Sequence, residues 1–391
     1  MKTNKFASAR AQSMPNSVFA VMDDAKAEAA DKGLEIIDLS LGSSDLNPPK
    51  EAIEELKKAV ADKSTYGYCL HSCTRAFRQE AAAWYERKFD TKINPKKEVL
   101  PLIGSQEGLA NLLLATTDPN DTILIPDPGY PAYFGAVVVA GLKVAYMPLS
   151  QENGFLPEFD KIDSKIAKKA KLMIISYPNN PTAAVADNEF MQTAVSFCHD
   201  NNILLVHDFP YVDMVFGNYK APSILSQKGG LEIGIELFSS SKSFHMGGFR
   251  MAWAIGNSDA IAALKQIKSA IDFNQYLGIQ KAVIAAMRSP KEKTIADAHV
   301  YQDRRDLLVD LLNDSLWQIE KPKASMYIWA KLPMGLNNSV DFAVNLAKTT
   351  GVSLAPGRGF GQRGEGYVRF ALVREPKVLK RAVDKINEFL D

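Results

Sequence analysis

The sequence predicts an α/β protein in which a large unit, built on a mostly parallel seven-stranded sheet, is followed by a smaller α+β unit. Three observations carry this. Seven apolar runs, Val99–Ile103, Thr122–Pro126, Lys143–Met147, Leu172–Ser176, Ile203–His207, Ile235–Ser239 and Ala252–Gly256, alternate with helical patterns. Several of the runs are almost wholly apolar, as strands covered on both faces are. Polar residues gather directly after them, at the carboxyl ends of strands, where sheets of this type bind ligands.

The bulk numbers agree. A chain of 391 residues with 46% hydrophobic residues can bury a large core and divide into two domains, and a net charge of +1 argues against a nucleic-acid or membrane surface as the main partner. Cys69, Cys73 and Cys198 form neither a CxxC pair nor an even framework, which fits structural thiols in a reducing compartment. The five histidines show no zinc-type spacing, so no metal is expected. No apolar h-region opens the chain, and a stretch such as Phe134–Leu142 is too short to span a bilayer; the expectation is a cytoplasmic protein.

In chain order, Ser17–Lys32 carries Phe19, Met22 and several alanines as a modest helical stripe, able to pack on the body of the fold or on another subunit. Ile36–Leu41 reads as a strand broken at Gly42-Ser43-Ser44, and after Pro48-Pro49 comes a helix with Ile53, Leu56 and Val60 on one face. Tyr66-Gly67-Tyr68 is a turn, and Arg75–Lys88 is a second amphipathic helix. Beyond Asn257 the chain reads as helical to about Asn313, with a break near Arg288-Ser289-Pro290. Met326–Lys331, Val340–Thr349, Val352–Ala355, Tyr367–Leu372 and Lys377–Leu390 then alternate as the strands and helices of the smaller unit. The expected division is 1–47 as a segment shared between the small unit and dimer contacts, 48–285 as the large domain and 286–391 as the small one.

The polar residues at the strand ends are the candidate site. Gly104-Ser105-Gln106 opens a helix whose free N–H groups could hold a phosphate, or Ser105 is an ordinary N-cap. Asp127-Pro128-Gly129-Tyr130-Pro131 is a turn in which Tyr130 could stack on a planar ring. Tyr177-Pro178-Asn179-Asn180-Pro181-Thr182 closes the fourth run. Asp208 follows the run Ile203–His207, apolar through Val206, and two readings stand for it: a structural salt bridge, or a cation on a bound ligand. The densest stretch is Ser239–Arg250, where Ser239, Ser241, Lys242 and Arg250 fall within twelve residues after a buried strand. A lysine held there by rigid scaffold can be partly desolvated and serve as nucleophile or base, while hydroxyls and a guanidinium suit a phosphate dianion.

One cofactor uses all of these groups. Pyridoxal 5'-phosphate needs a lysine for its Schiff base, an acid beside its ring nitrogen, hydroxyl and arginine donors for its phosphate, and an aromatic face over its ring. The sequence also resembles the fold-type I, class I/II aminotransferases, closest to the LL-diaminopimelate aminotransferase-like group. Pro178-Asn179-Asn180-Pro181-Thr182, His207-Asp208-Phe209-Pro210-Tyr211 and Ser239 through Arg250 carry the likeness, supported by Gly104-Ser105-Gln106-Glu107-Gly108, Asp127 to Pro131 and Pro356-Gly357-Arg358-Gly359-Phe360-Gly361. The resemblance implies the aspartate aminotransferase-like fold and a ping-pong transfer of an amino group between an L-amino acid and a 2-oxo acid. It implies that Lys242 anchors the cofactor, Asp208 pairs with the ring nitrogen, Tyr211 and Asn180 bond the ring oxygen, and Tyr130 stacks on the ring. Ser105, Gln106, Ser239, Ser241 and Arg250 would hold the phosphate, Arg369 the substrate α-carboxylate, and Tyr68 the phosphate of a neighbouring subunit in a homodimer.

Several positions depart from that pattern. Ser44 stands where the family's entry motif has a second glycine near the substrate, Cys73 and Ala183 replace glycines, and His245-Met246 follow the lysine. These departures leave the reaction type in place and put the substrate in question. A C–S β-lyase on the same scaffold, the aminocyclopropane-carboxylate synthase reaction and a ligand-sensing transcription regulator are the competing readings. The residues ahead of the first strand are too few and too acidic around Asp23-Asp24 for a DNA-binding domain.

Overall fold

The structure, a computed structural model, describes residues 5–15 and 18–391. Its strands are β1 (Ile37–Asp38), β2 (Val99–Leu102), β3 (Thr122–Asp127), β4 (Lys143–Pro148), β5 (Ala170–Ile175), β6 (Leu204–Asp208), β7 (Gly234–Ser239), β8 (Ala252–Gly256), β9 (Tyr327–Lys331), β10 (Val352–Ser353), β11 (Ala355–Pro356) and β12 (Tyr367–Ala371). All seven expected runs enter one sheet, in the order β2-β8-β7-β6-β5-β3-β4. The pairs from β4 through β7 are parallel, while β8 runs antiparallel to both β7 and β2. The carboxyl ends of β2, β3, β5, β6 and β7 therefore face the same way, and the chain entering β8 joins them.

Alternation along the strands places one core on each face of this sheet. On β7, Ile235 and Leu237 point into a cluster with Leu109, Leu112 and Val137, and Phe238 points into the opposite one with Phe77, Trp84 and Trp253. Each buried phenylalanine contributes about 1.5–3 kcal/mol by leaving water. Strands β11-β12-β9 make a three-stranded antiparallel sheet over a separate core, which takes in Ile37, Leu39, Tyr211, Tyr301, Tyr327 and Phe370.

The structure differs from the sequence reading in four places. The Ile36–Leu41 strand shortens to β1, because Asp38 Oδ1 accepts from the Ser40 N–H and hydroxyl and turns the chain; Leu39 still bonds the Ser353 and Ala371 backbones. In the helix Lys50–Ala61 it is Ala52 and Ala59 that are buried, against the helix Leu277–Met287, and Val60 is exposed. The long helical stretch has a second break, at residues 272–276, where Asp272 Oδ1 takes the Asn274 N–H. Val352–Ala355 divides into β10 and β11. After a short helix Ala9–Gln12, the expected N-terminal helix runs from Val18 to Asp31, packed through Met22, Ala25 and Ala29 on the helix Ser339–Thr350; Ser17, its expected first residue, lies outside the described residues.

Candidate active site

The strand ends open onto a cavity of about 950 Å³, and every expected site residue lines it except Tyr68. Tyr68 is 83% exposed on this chain and leans on Phe273, with ring centroids 5.2 Å apart.

Asp208 ends β6 in a buried position. No cation pairs with it among the described residues, so the structural salt bridge does not form. Tyr133 donates to Oδ2 at 2.7 Å, while Oδ1 is buried with no partner. Burial pushes the carboxyl up to about 6, against the pull of the Tyr133 hydrogen bond and of His207. A buried acceptor left open at the floor of a cavity is what a protonated ring nitrogen requires.

Lys242 lies in the short turn Ser240–Ser243 that follows β7, and its amine donates to the Gly42 carbonyl from the opposite wall. The turn is fixed from behind: the Ser240 hydroxyl donates to the Met251 carbonyl at 2.7 Å, and Ser239 Oγ accepts the Ser241 N–H at 3.2 Å. Gly42 is obligatory, because a Cβ there would collide with the Tyr327 hydroxyl.

A phosphate cradle lies beside it. Gly104, not Ser105, caps the helix Ser105–Thr116, and the serine side chain makes no capping bond, which leaves it free for a ligand. Gly104 sits at φ 87° and a Cβ on it would strike the Arg250 guanidinium, so this glycine is what lets Arg250 approach the helix start. The first N–H groups of that helix have no helical acceptor and carry its positive end. Ser105, Gln106, Ser239, Ser241 and Arg250 thus converge from three chain segments on one anion-shaped corner. Tyr130 donates to Gln106 Oε1 at 3.3 Å.

Arg369 enters from β12 of the second sheet. Its guanidinium donates to Asn180 Oδ1 at 2.7 Å and to the Ser40 carbonyl at 2.6 Å, and it stacks over Tyr327 and Phe360. It is 4% exposed, faces no carboxylate among the described residues, and keeps Nε unpaired, as a buried cation awaiting an anion does. Tyr211 and Tyr327 share a hydrogen bond of 2.9 Å. Burial and then the neighbouring phenol hold the Tyr211 hydroxyl well above its ordinary range; at Tyr327 burial is outweighed by the Lys242 and Arg369 cations and by the Tyr211 hydrogen bond, so Tyr327 is the more acidic.

Sequence reading missed two contributors, Tyr133 and Tyr327, while Ser44 was expected beside the substrate. Tyr133 could have been found from Tyr130, one helical turn before it. Tyr327 gave no local signal, since it comes from β9 of the other sheet. Ser44 and His245 stood out as departures, but their bond to each other, and to Asp297 and Tyr301, was not foreseeable.

These residues fit pyridoxal phosphate: the open Asp208 Oδ1 matches a ring N–H, the Gly104 corner matches a phosphate, and Lys242 lies on the same wall. Comparison with known proteins agrees. Residues 35–386 match the family described as aminotransferase class I and II. The chain is 40% identical over 381 residues to the LL-diaminopimelate aminotransferase of Moorella thermoacetica, covering 97% of each protein. Among solved structures, the probable N-succinyldiaminopimelate aminotransferase of Thermus thermophilus is 44% identical, with a TM-score of 0.92 over 95% of this chain and 100% of that one. A single mutant of Thermus thermophilus aspartate aminotransferase superimposes with a TM-score of 0.91 over 98% and 99% of the two chains, which at 23% identity shows the fold. The curated relatives are transaminases by name, which favours transamination over β-elimination. With its site and its relatives in agreement, the chain belongs to the class I and II aminotransferases and is a pyridoxal-phosphate-dependent transaminase of the aspartate aminotransferase-like fold.

Proposed function

We propose that this transaminase acts on a diaminopimelate-class amino acid, exchanging its amino group with a 2-oxo acid. Full-length identity of 38–40% to LL-diaminopimelate aminotransferases carries the reading. The N-succinylated substrate named for the Thermus relative is the second reading, favoured by its 44% identity. When bound, pyridoxal phosphate supplies an electron sink for the charge released at the substrate α-carbon.

The chain's own groups divide the work. Lys242 would anchor the cofactor, and its Nζ would serve as the general base for the substrate α-carbon proton. Asp208 Oδ1, held in aim by Tyr133, would accept a ring N–H. Tyr211 and Asn180 would bond the ring oxygen, Tyr130 would cover the ring, and the Gly104 corner with Arg250 would hold the phosphate. Arg369 takes the substrate α-carboxylate, already aimed by Asn180 and Ser40.

Two separate cores support a division into 1–47, 48–285 and 286–391, with Tyr211, Met214 and Phe216 of the large unit reaching into the smaller core. An exposed apolar patch supports a homodimer: Tyr66, Tyr68, Leu70, Ile271 and Phe273 are each more than half exposed. A second copy would cover the patch and bring Tyr68 to its neighbour's phosphate; sedimentation of Phe273→Glu should give an inactive monomer, and an active one would remove the shared site. No helix among the described residues is long and apolar enough to cross a membrane, and three free cysteines support a cytoplasmic setting. Substrate choice is decided by adding LL-diaminopimelate, its N-succinyl derivative, aspartate and alanine separately to the loaded enzyme and following the loss of the lysine-linked absorption. Conversion by neither diaminopimelate compound would end the proposal.

A further inference from the structure

A second phenol stands behind Tyr211, and the reaction above gives it no part. Tyr211 lies three residues beyond Asp208 in the large unit, and Tyr327 opens β9 of the small one. Both are buried in the core of the small unit, and both border the cavity. Their hydroxyl oxygens are 2.9 Å apart, and their rings meet edge to face with centroids separated by 5.6 Å. Among the described residues neither hydroxyl has another hydrogen-bond partner. Tyr327 is fixed in place: the Arg369 guanidinium lies 4.1 Å from its ring centroid, and its hydroxyl fills the space that a side chain on Gly42 would need.

The hydrogens of this pair can be counted. A phenol has one hydrogen to give and lone pairs to receive with, and one hydrogen lies between the two oxygens. Taken alone, either hydroxyl can supply it. An ionised ring oxygen set against Tyr211 only accepts, so it claims the Tyr211 hydrogen, and the 2.9 Å bond then survives only if Tyr327 donates. Tyr327 suits that direction. Burial raises its hydroxyl, but the Lys242 and Arg369 cations outweigh burial and leave it more acidic than an ordinary phenol, hence a stronger donor. Burial, and then Tyr327, hold the Tyr211 hydroxyl well above its ordinary range, so Tyr211 keeps the hydrogen that it presents to the ring. The charged and titratable groups around the pair are Lys242, Arg369 and Tyr130, with Asp208 beyond Tyr130.

We propose that Tyr327 is a positioning residue for the cofactor: it donates to Tyr211 and thereby commits the Tyr211 hydrogen to the ring oxygen. The inference rests on the reading above in which Tyr211 bonds that oxygen. A hydroxyl that receives one hydrogen bond donates a stronger one, by about 10–30%. The consequence is visible in the lysine-linked cofactor, where the linking nitrogen and the ring oxygen share one acidic proton. A donor aimed at the oxygen favours the form without that proton, in which the oxygen carries full charge. Each such donor therefore lowers the pH at which the visible absorption changes.

The test is a pH titration of that absorption in the loaded enzyme, in Tyr211→Phe, in Tyr327→Phe and in the double variant. Tyr211→Phe removes a hydrogen bond to an ionised oxygen and should raise the midpoint by about one to two pH units. Tyr327→Phe keeps the ring under Arg369 and should raise the midpoint by about 0.3–0.6 pH unit, the share that one hydrogen bond lends to the next. In the Tyr211→Phe background it should add nothing, because its effect passes through Tyr211. Equilibrium dialysis gives an independent readout. Tyr327→Phe should weaken pyridoxal phosphate about two- to fourfold and leave 3-deoxypyridoxal phosphate, which lacks the ring oxygen, unchanged. An unmoved midpoint in Tyr327→Phe, an equal rise with and without Tyr211, or equal weakening of cofactor and analogue would overturn the inference while Tyr211 keeps its place. An unmoved midpoint in Tyr211→Phe would remove Tyr211 from the ring oxygen, and this inference with it.

Discussion

Asp208→Asn should raise the stability of the cofactor-free protein near neutral pH while destroying its use of the cofactor. Burial shifts the carboxyl from 3.8 to about 6 in the folded chain. A raised acid is one whose ionisation folding disfavours. Its protonated form costs nothing below about 4, and as pH rises from there through about 6 the folded state loses stability relative to the unfolded one. Moving from 3.8 to about 6 at 1.36 kcal/mol per tenfold change in acidity amounts to about 3 kcal/mol. With an unfolding entropy of ~2.1 cal/mol/K per residue over 391 residues, this corresponds to about 4 °C in Tm. The Asn side chain keeps an oxygen for the Tyr133 hydroxyl and carries no charge. Scanning calorimetry of both cofactor-free proteins should therefore show Asp208→Asn melting higher by about that amount at pH 8, with the gap closing toward pH 4. Infrared difference spectra between the two proteins should show one carboxylate titrating near pH 6. A pH-independent gap, or titration at 4 or below, would refute the reasoning, because Oδ1 would then have a partner in the cofactor-free chain.

The remaining predictions concern the cations and the cradle. Lys242→Ala should abolish both the visible absorption of the lysine-linked cofactor and turnover; a variant that retained them would free Lys242 from its role. Arg369→Ala should raise KM for every amino acid by one to two orders of magnitude, about 1.5–3 kcal/mol for a charged hydrogen-bonded pair, and Arg369→Lys should not restore it, because an ammonium lacks the planar fork. Gly104→Ala should weaken cofactor binding at least tenfold, measured by equilibrium dialysis, since the new methyl meets the Arg250 guanidinium and the backbone there has φ 87°. Unchanged affinity would mean the phosphate lies elsewhere.

The large sheet was legible in the sequence because all its strands but the edge strand β4 are buried on both faces and so read as largely apolar runs. The residues that end those runs were legible for a second reason. A parallel sheet sends its carboxyl ends to one side, so Asp208, Lys242 and the Gly104 corner had to meet once the runs were placed. β1 was less readable: two residues pair with β10, and what extends the contact is Asp38 bonding Ser40 and Leu39 bonding Ser353 and Ala371. Periodicity carries no trace of side-chain capping of this kind. The break at 272–276 was hidden likewise, since no proline or glycine marks it.

What no local pattern could supply is the meeting of two separately cored units at one cavity. Arg369 reads as an odd residue in an apolar strand, and only its register opposite Trp329 on β9 shows that it shares a face with Tyr327 and turns toward Asn180. Tyr327, two residues before Trp329, then explains Gly42, whose missing side chain makes room for the tyrosine hydroxyl. Gly42 in turn brings its carbonyl to the Lys242 amine and sets Ser44 against His245. Each contact in that chain joins residues remote in sequence, and together they place the Arg369 guanidinium, the Lys242 amine and Ser44 on one cavity. A substitution at Tyr327 should therefore disturb Arg369 and Lys242 together, though it lies 42 and 85 positions from them in the chain.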